Sequence, residues 1–181
     1  GALEPYHRLM AYDELVIAEG SEWETLVLDA RKHAQWSQRY GIRLNRPPNN
    51  LWWHHDVYPV QTLDVDEQLD WLVRHISSGT YGWPYNFLVW PGESSCTIWY
   101  LNDVDELHAH TYGHNDDVAI CAHGNYETDV PPEHLVASMW HLSMALCTMW
   151  GEDLPVKPHR AVYATACPGI HLVEALAQLD G

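Results

Sequence analysis

Positive charge is scarce in this chain: nine Lys and Arg stand against 25 Asp and Glu, a formal charge of −16. Such a field repels nucleic acid and anionic membrane surfaces, so neither is an expected partner. No run of about 18 apolar residues is present, so no segment is expected to span a membrane. No basic-then-apolar leader opens the chain, which begins Gly1-Ala2 as a piece of a longer protein would. The four cysteines, Cys96, Cys121, Cys147 and Cys167, lie far apart without a CxxC. That spacing excludes a disulfide-dense scaffold and leaves the redox compartment open. Phenylalanine is nearly missing, one residue against ten Trp and ten Tyr. Those aromatics pair an apolar face with a polar handle, which suits both a core and a carbohydrate-lined groove.

What is present fits one globular domain. A chain of 181 residues buries roughly 70% of its unfolded surface on folding, and no internal repeat or low-complexity segment interrupts it. Tyr12 to Ala18 reads as a short helix or extended segment. Ser21-Glu22-Trp23-Glu24 has the form of a capping box, and apolar residues at 23, 26, 27, 30 and 34 follow at helical spacing up to Gly41. This pattern predicts a helix over about 22–40. Arg46-Pro47-Pro48 breaks the chain, and Leu51 to His55 reads as a buried strand. Asp64 caps a second helix whose inner face is Leu69, Leu72, Val73 and Ile76, ended by Ser78-Gly79. The aromatic loop Tyr81 to Tyr85 leads into a strand over 86–90. Pro91-Gly92 then turns the chain into a return strand, Thr97 to Tyr100.

Val118 to Ala122 is apolar enough for a central strand. Pro131-Pro132 opens a last long helix with a buried stripe of Leu135, Met139, Leu142, Leu146 and Met149, stopped by Gly151. The acidic runs Asp64 to Glu67 and Asp103 to Glu106 read as caps and solvated faces. His108 and His114 read as solvated loop or groove-rim residues. Cys96, Cys121 and Cys147 read as small buried apolar side chains. The alternation predicts an α/β domain with one mixed central sheet covered by helices.

Chemistry concentrates in Lys157 to Gly169, where His159 and Cys167 lie eight residues apart on one loop closed by Pro168-Gly169. A catalytic zinc takes three protein ligands and keeps a fourth position open, so a third donor is needed. Trp52-Trp53-His54-His55 is the best source. Strand alternation puts His54 and His55 on opposite faces, so only one of them can point at a given site. Two imidazoles and a thiolate leave zinc with a net charge of +1. Such an ion lowers the pKa of bound water to about 7 and polarises a carbonyl oxygen.

From roughly Asn50 to Leu176 the sequence resembles the type 2 N-acetylmuramoyl-L-alanine amidases, a group that includes phage endolysin amidases and peptidoglycan recognition proteins. Four motifs carry the resemblance in order: Trp53-His54-His55; Pro84-Tyr85-Asn86-Phe87-Leu88-Val89; Ala109-His110-Thr111-Tyr112-Gly113-His114-Asn115; and His159-Arg160 through Thr165-Ala166-Cys167-Pro168-Gly169. The resemblance implies a single α/β domain with a zinc site at one edge of a mixed sheet; that domain is placed at 49–181, and residues 1–48, outside the resemblance, are expected to form an N-terminal helical extension packed on it. It makes His54, His159 and Cys167 the zinc ligands and Tyr85 and Thr165 the catalytic side chains. His110, Asn115 and Trp83 become the substrate-binding set. Arg160 is expected to pair with a carboxylate and support the ligand loop. The implied activity is zinc-dependent hydrolysis of the bond between N-acetylmuramic acid and L-alanine, acting on the bacterial cell wall as an endolysin or autolysin, with peptidoglycan as partner and a monomer favoured.

The chain departs from the family pattern at Pro158, Ala161 and Pro84, and Cys121 stands where some relatives carry a glutamate base. None of these removes a ligand. The alternatives are a peptidoglycan-binding module without turnover, an amidase-fold structural module of a phage particle, and zinc amidase chemistry on a different peptide.

Overall fold

Among the residues the computed structural model describes, 7–8, 26–31, 42–44, 46–75 and 83–180, seven strands form one mixed sheet. They are β1 (His7–Arg8), β2 (Leu26–Asp29), β3 (Leu51–His55), β4 (Phe87–Pro91), β5 (Cys96–Tyr100), β6 (Val118–Ala122) and β7 (Val156–Pro158), in the spatial order β1-β2-β5-β4-β6-β3-β7. Every residue of β3, β4 and β6 is buried. A strand covered on both faces reads as a continuous apolar run rather than an alternation, which is why these three segments stand out in the sequence. β4 and β5 form an antiparallel hairpin, closed by the Gly92 N–H donating to Ser95 O at 2.7 Å. β1 and β2 are also antiparallel, and the remaining pairings are parallel.

Among the described residues three α-helices cover the sheet. α1 (Val65–Arg74) begins with a capping box: Asp64 Oδ1 accepts the Glu67 N–H at 2.9 Å and Glu67 Oε1 accepts the Asp64 N–H at 3.1 Å. α2 (Glu133–Trp150) follows Pro132 and ends at Gly151, whose φ of 63° is the left-handed cap glycine favours. Leu135, Met139, Leu142 and Leu146 bury its stripe, and Met149 packs partly buried beside them. α3 (Ile170–Asp180) is not foreseen in the sequence; Leu172 and Leu176 bury one helical turn apart in the same cluster.

The sheet separates two cores. On one side Trp53, Phe87, Val89, Ile98 and Ile120 pack under α2 and α3. On the other, Leu88, Trp90, Trp99 and Cys121 pack under α1 with Leu69, Trp71, Leu72 and Trp83. Cys96, Cys121 and Cys147 are free and buried, as expected. No helix of the described residues is long and apolar enough to cross a membrane.

Two expectations change. The helix predicted over 22–40 is not present at 26–29, where the chain is β2, paired parallel with β5 from Leu26↔Thr97 to Asp29↔Tyr100. Val27 buries in the first core while Leu28 and Ala30 bury in the second. That is a period of two, and a central neighbour strand decides it over local helical spacing. The Ser21 cap, the Gly41 stop, the Tyr12–Ala18 segment and the Ser78-Gly79 stop lie outside the described residues. The run from Asp103 to Glu106 is not a solvated face either. Asp103 takes Arg31 and Arg43 at 2.7 Å each, Asp105 takes Arg43 at 2.7 Å, and Glu106 is 3% exposed.

Candidate metal centre

β3 positions the first donor. Its pleat sends Trp53 and His55 to the α2 side and Trp52 and His54 to the other. His54 is 1% exposed, in register with Cys121 of β6. β7 supplies the second donor: Trp53 pairs with Pro158 across the β3–β7 ladder, so His159 leaves the strand beside His54, and the two rings lie 4.6 Å apart between centroids. His159 opens a 3-10 turn, His159–Ala161, and the loop folds back so that the Arg160 N–H donates to Cys167 O at 2.9 Å. Gly169, with φ of 93°, closes this loop where an added Cβ would run into the Tyr126–Glu127 peptide, so only glycine fits.

The ligand atoms of His54, His159 and Cys167 lie within 4.8 Å of one another. Cys167 Sγ stands 3.6 Å from His54 Nδ1. A tetrahedral zinc with Zn–S of about 2.3 Å and Zn–N of about 2.0–2.1 Å separates sulfur from nitrogen by about 3.6 Å. His159 Nε2 is buried without a hydrogen-bond partner, an arrangement that costs free energy unless something else fills it. The donor set and its spacing therefore fit a zinc ion, and these three side chains can form a metal site. Burial holds His54 well below the ordinary histidine range, with His110 and His159 adding to it, and burial also lowers His159. Both rings are neutral, as ligands must be. Burial pushes the Cys167 thiol up to about 12, against a counteracting contact from His55; a bound cation reverses that order and strips a coordinating thiol of its proton.

His55 turns away. Its Nδ1 accepts the Tyr126 N–H at 3.1 Å, and its own N–H approaches Cys167 Sγ at 3.4 Å. Tyr85 lies on the metal side, its ring 5.1 Å from that of His54. Burial raises its hydroxyl well above the usual tyrosine range, with Cys121 beside it contributing, so Tyr85 stays a donor. Cys121 is fully buried and burial likewise keeps it a thiol; it cannot serve as the base that a glutamate there would provide. Thr165 Oγ1 accepts the Cys167 N–H at 3.2 Å, leaving its O–H free to donate. Trp83 is 6% exposed and donates Nε1–H to Leu72 O at 2.8 Å. Asn115 Oδ1 accepts the N–H groups of His110 and Thr111 at 3.0 and 2.8 Å. His110 is buried, with Nδ1 2.8 Å from Thr111 Oγ1 and Nε2 2.9 Å from Asp117 O.

Other residues around the site differ from expectation. His108 is 1% exposed rather than solvated, while half-exposed His114 tilts onto Trp52 at 4.8 Å. Among the described residues no carboxylate pairs with Arg160, and its Nη1 is buried without a hydrogen-bond partner. Arg160 holds the loop through its backbone N–H instead. Thr111, inside the Ala109–Asn115 motif, stands 3.1 Å from His54 Nε2, a contact that its place in the motif does not announce. Asn102 donates Nδ2–H to Trp83 O and Tyr85 O at 2.6 and 2.7 Å, fixing the Tyr85 loop. An isolated asparagine gives no sequence signal for such a role.

The mixed sheet of this chain has the fold of solved peptidoglycan recognition proteins and N-acetylmuramoyl-L-alanine amidases, and its own His-His-Cys cluster lies where β7 docks on β3. No protein-family model and no curated protein sequence matches the chain. Solved structures do. Drosophila PGRP-LB superposes with a TM-score of 0.71 at 19% identity, over 85% of this chain and 94% of that one. The endolysin N-acetylmuramoyl-L-alanine amidase LysCS from Clostridium intestinale gives 0.61 at 22% identity, over 85% and 95%. A variant of Drosophila PGRP-LB in complex with tracheal cytotoxin gives 0.66 at 19%, over 83% and 92%.

Proposed function

We propose that this chain is a zinc-dependent N-acetylmuramoyl-L-alanine amidase acting on bacterial cell-wall peptidoglycan, as the catalytic domain of an endolysin or autolysin. The carrying observation is the donor set: the ligand atoms of His54, His159 and Cys167 converge within 4.8 Å, Cys167 Sγ stands 3.6 Å from His54 Nδ1, and His159 Nε2 is otherwise orphaned. When bound, zinc activates water near neutral pH and polarises an amide carbonyl. The side chains around it divide the remaining work. Tyr85, kept protonated by burial, donates O–H to the amide oxygen as negative charge gathers there. Its loop is held by Asn102, which bonds the Trp83 and Tyr85 carbonyls. Thr165, anchored on the Cys167 N–H, keeps a free O–H to hold the attacking water or the leaving amine. The excess of acidic over basic residues gives no attraction to anionic wall polymers.

Likeness to a recognition protein seen in complex with tracheal cytotoxin, a muropeptide, supports peptidoglycan as the partner and favours binding without turnover as the second reading. One experiment separates them. Purified peptidoglycan is incubated with the zinc-loaded protein, and released stem peptides bearing a free L-alanine amine are measured by mass spectrometry. Release by the native protein and none by Cys167→Ala is the expected result. Intact peptidoglycan with one zinc bound per chain would overturn the enzyme reading.

A further inference from the structure

A chain of hydrogen bonds runs from a backbone carbonyl to the first metal donor, and its direction is fixed at one end. Asp117 O can only accept, so His110 Nε2, 2.9 Å away, carries the hydrogen. His110 is buried with no carboxylate on either ring nitrogen, so the ring is neutral and Nδ1 is a bare acceptor. The Thr111 hydroxyl, at 2.8 Å, therefore donates to it. Having spent its only proton, Thr111 Oγ1 offers lone pairs alone to His54 Nε2 at 3.1 Å, so that nitrogen must carry the hydrogen. His54 Nδ1 is then bare, and it is the nitrogen that faces Cys167 Sγ at 3.6 Å.

We infer that Thr111, oriented by His110, is a positioning residue that locks His54 in the Nε2–H tautomer and so presents Nδ1 to the metal. The inference rests on the reading of His54 as a ligand, not on amidase activity. Both ends of the chain are tied to β3. Asp117 Oδ1 accepts the Asn49 N–H at 2.7 Å, and its Oδ2 accepts Asn50 Nδ2–H at 3.0 Å and Trp52 Nε1–H at 2.9 Å. The His110 and Thr111 N–H groups are pinned on Asn115 Oδ1. The carbonyl that sets the direction is thereby held against the strand carrying His54. The chain ends on an acceptor with no further outlet, so it orients a proton and does not relay one. Outer partners of this kind orient a ligating histidine, and losing one typically weakens metal binding 10–100-fold.

The tautomer is read directly by long-range proton–nitrogen NMR on metal-free protein carrying nitrogen-15 histidine. The expected pattern is a single Nε2–H tautomer at His54, with mixed tautomers in Thr111→Val. Zinc affinity, measured by chelator competition, is expected to fall about 10–100-fold in Thr111→Val and to recover in Thr111→Ser, which restores the hydroxyl. An Nδ1–H tautomer at His54 in the native protein overturns the inference with no variant needed. So does unchanged affinity in a folded Thr111→Val. Intact peptidoglycan from a zinc-loaded protein showing the expected tautomer overturns the amidase reading alone.

Discussion

The two faces of the sheet are built on different principles, and β3 belongs to both. On the α2 side, Trp53 sits among Phe87, Val89, Ile120, Leu142 and Leu146, and its indole N–H finds a neutral partner, Ser143 Oγ, at 3.0 Å. On the α1 side the tryptophans are tied by polar handles: Trp83 to Leu72 O, Trp90 to Gln61 O, Trp99 to Gln68 Oε1 and Trp52 to Asp117 Oδ2. The metal donors lie on that second side. One face is held by area removed from water; the other is held by directional bonds as well, which fix angles that burial alone leaves loose. A strand whose successive side chains alternate lets a rigid apolar core brace a polar site from behind.

The contrast breaks most visibly at Trp53. Trp53→Ala is expected to cost about 4 kcal/mol through lost contacts and the cavity left behind, read as a fall in the urea midpoint at constant slope. A loss under 1 kcal/mol would mean that the apolar face is not the main brace.

Acid should act through the other face. Burial pushes His110 down to about 4, and it lowers His54 and His159 as well. An imidazole whose folded value lies below its unfolded value of about 6.5 contributes fully above that pH and loses its contribution as pH falls towards the folded value. For His110 alone the loss between pH 7 and pH 5 is about 2 kcal/mol. Unfolding curves of metal-free protein at the two pH values check it, and a flat profile would contradict the buried neutral chain.

A matched pair sharpens the comparison further. Trp52→Phe and Trp53→Phe remove similar volume, but the first takes a donor from a carboxylate and the second from a hydroxyl. The first should cost more by about 1 kcal/mol, because bonds to charged groups contribute more than neutral ones. Equal costs would erase the distinction between the faces.

The helices repeat the contrast at smaller scale. α1 starts in a capping box, whereas α2 has no side-chain cap at Pro132 and is held by its buried stripe. Asp64→Ala should cost about 1 kcal/mol and Pro132→Ala only about a few tenths, compared by thermal unfolding.

Much of this was legible where local pattern and final environment agree. β3, the β4–β5 hairpin, β6, α1 and α2 each carry their own periodicity or punctuation, and the His159–Cys167 interval marks the ligand loop. β2 was not, because Leu26, Val27 and Ala30 suit a helix as well as a strand until a parallel neighbour chooses. α3 was missed because Leu172 and Leu176 are too few to declare a helix before the rest of the core exists. The burial of His108 and of the unbonded Arg160 Nη1 depends on distant loops, and the direction of the Asp117-to-His54 chain depends on three-dimensional distances no spacing encodes.

The short outer strand beside the donors has a further consequence. β7 spans Val156–Pro158, pairs among the described residues with β3 alone, and ends in a residue without an N–H. A sheet margin so brief, closed by proline and preceded by Pro155, offers too few open backbone groups to recruit a strand from another molecule. The rim from which His159 projects is thus guarded against self-templated aggregation.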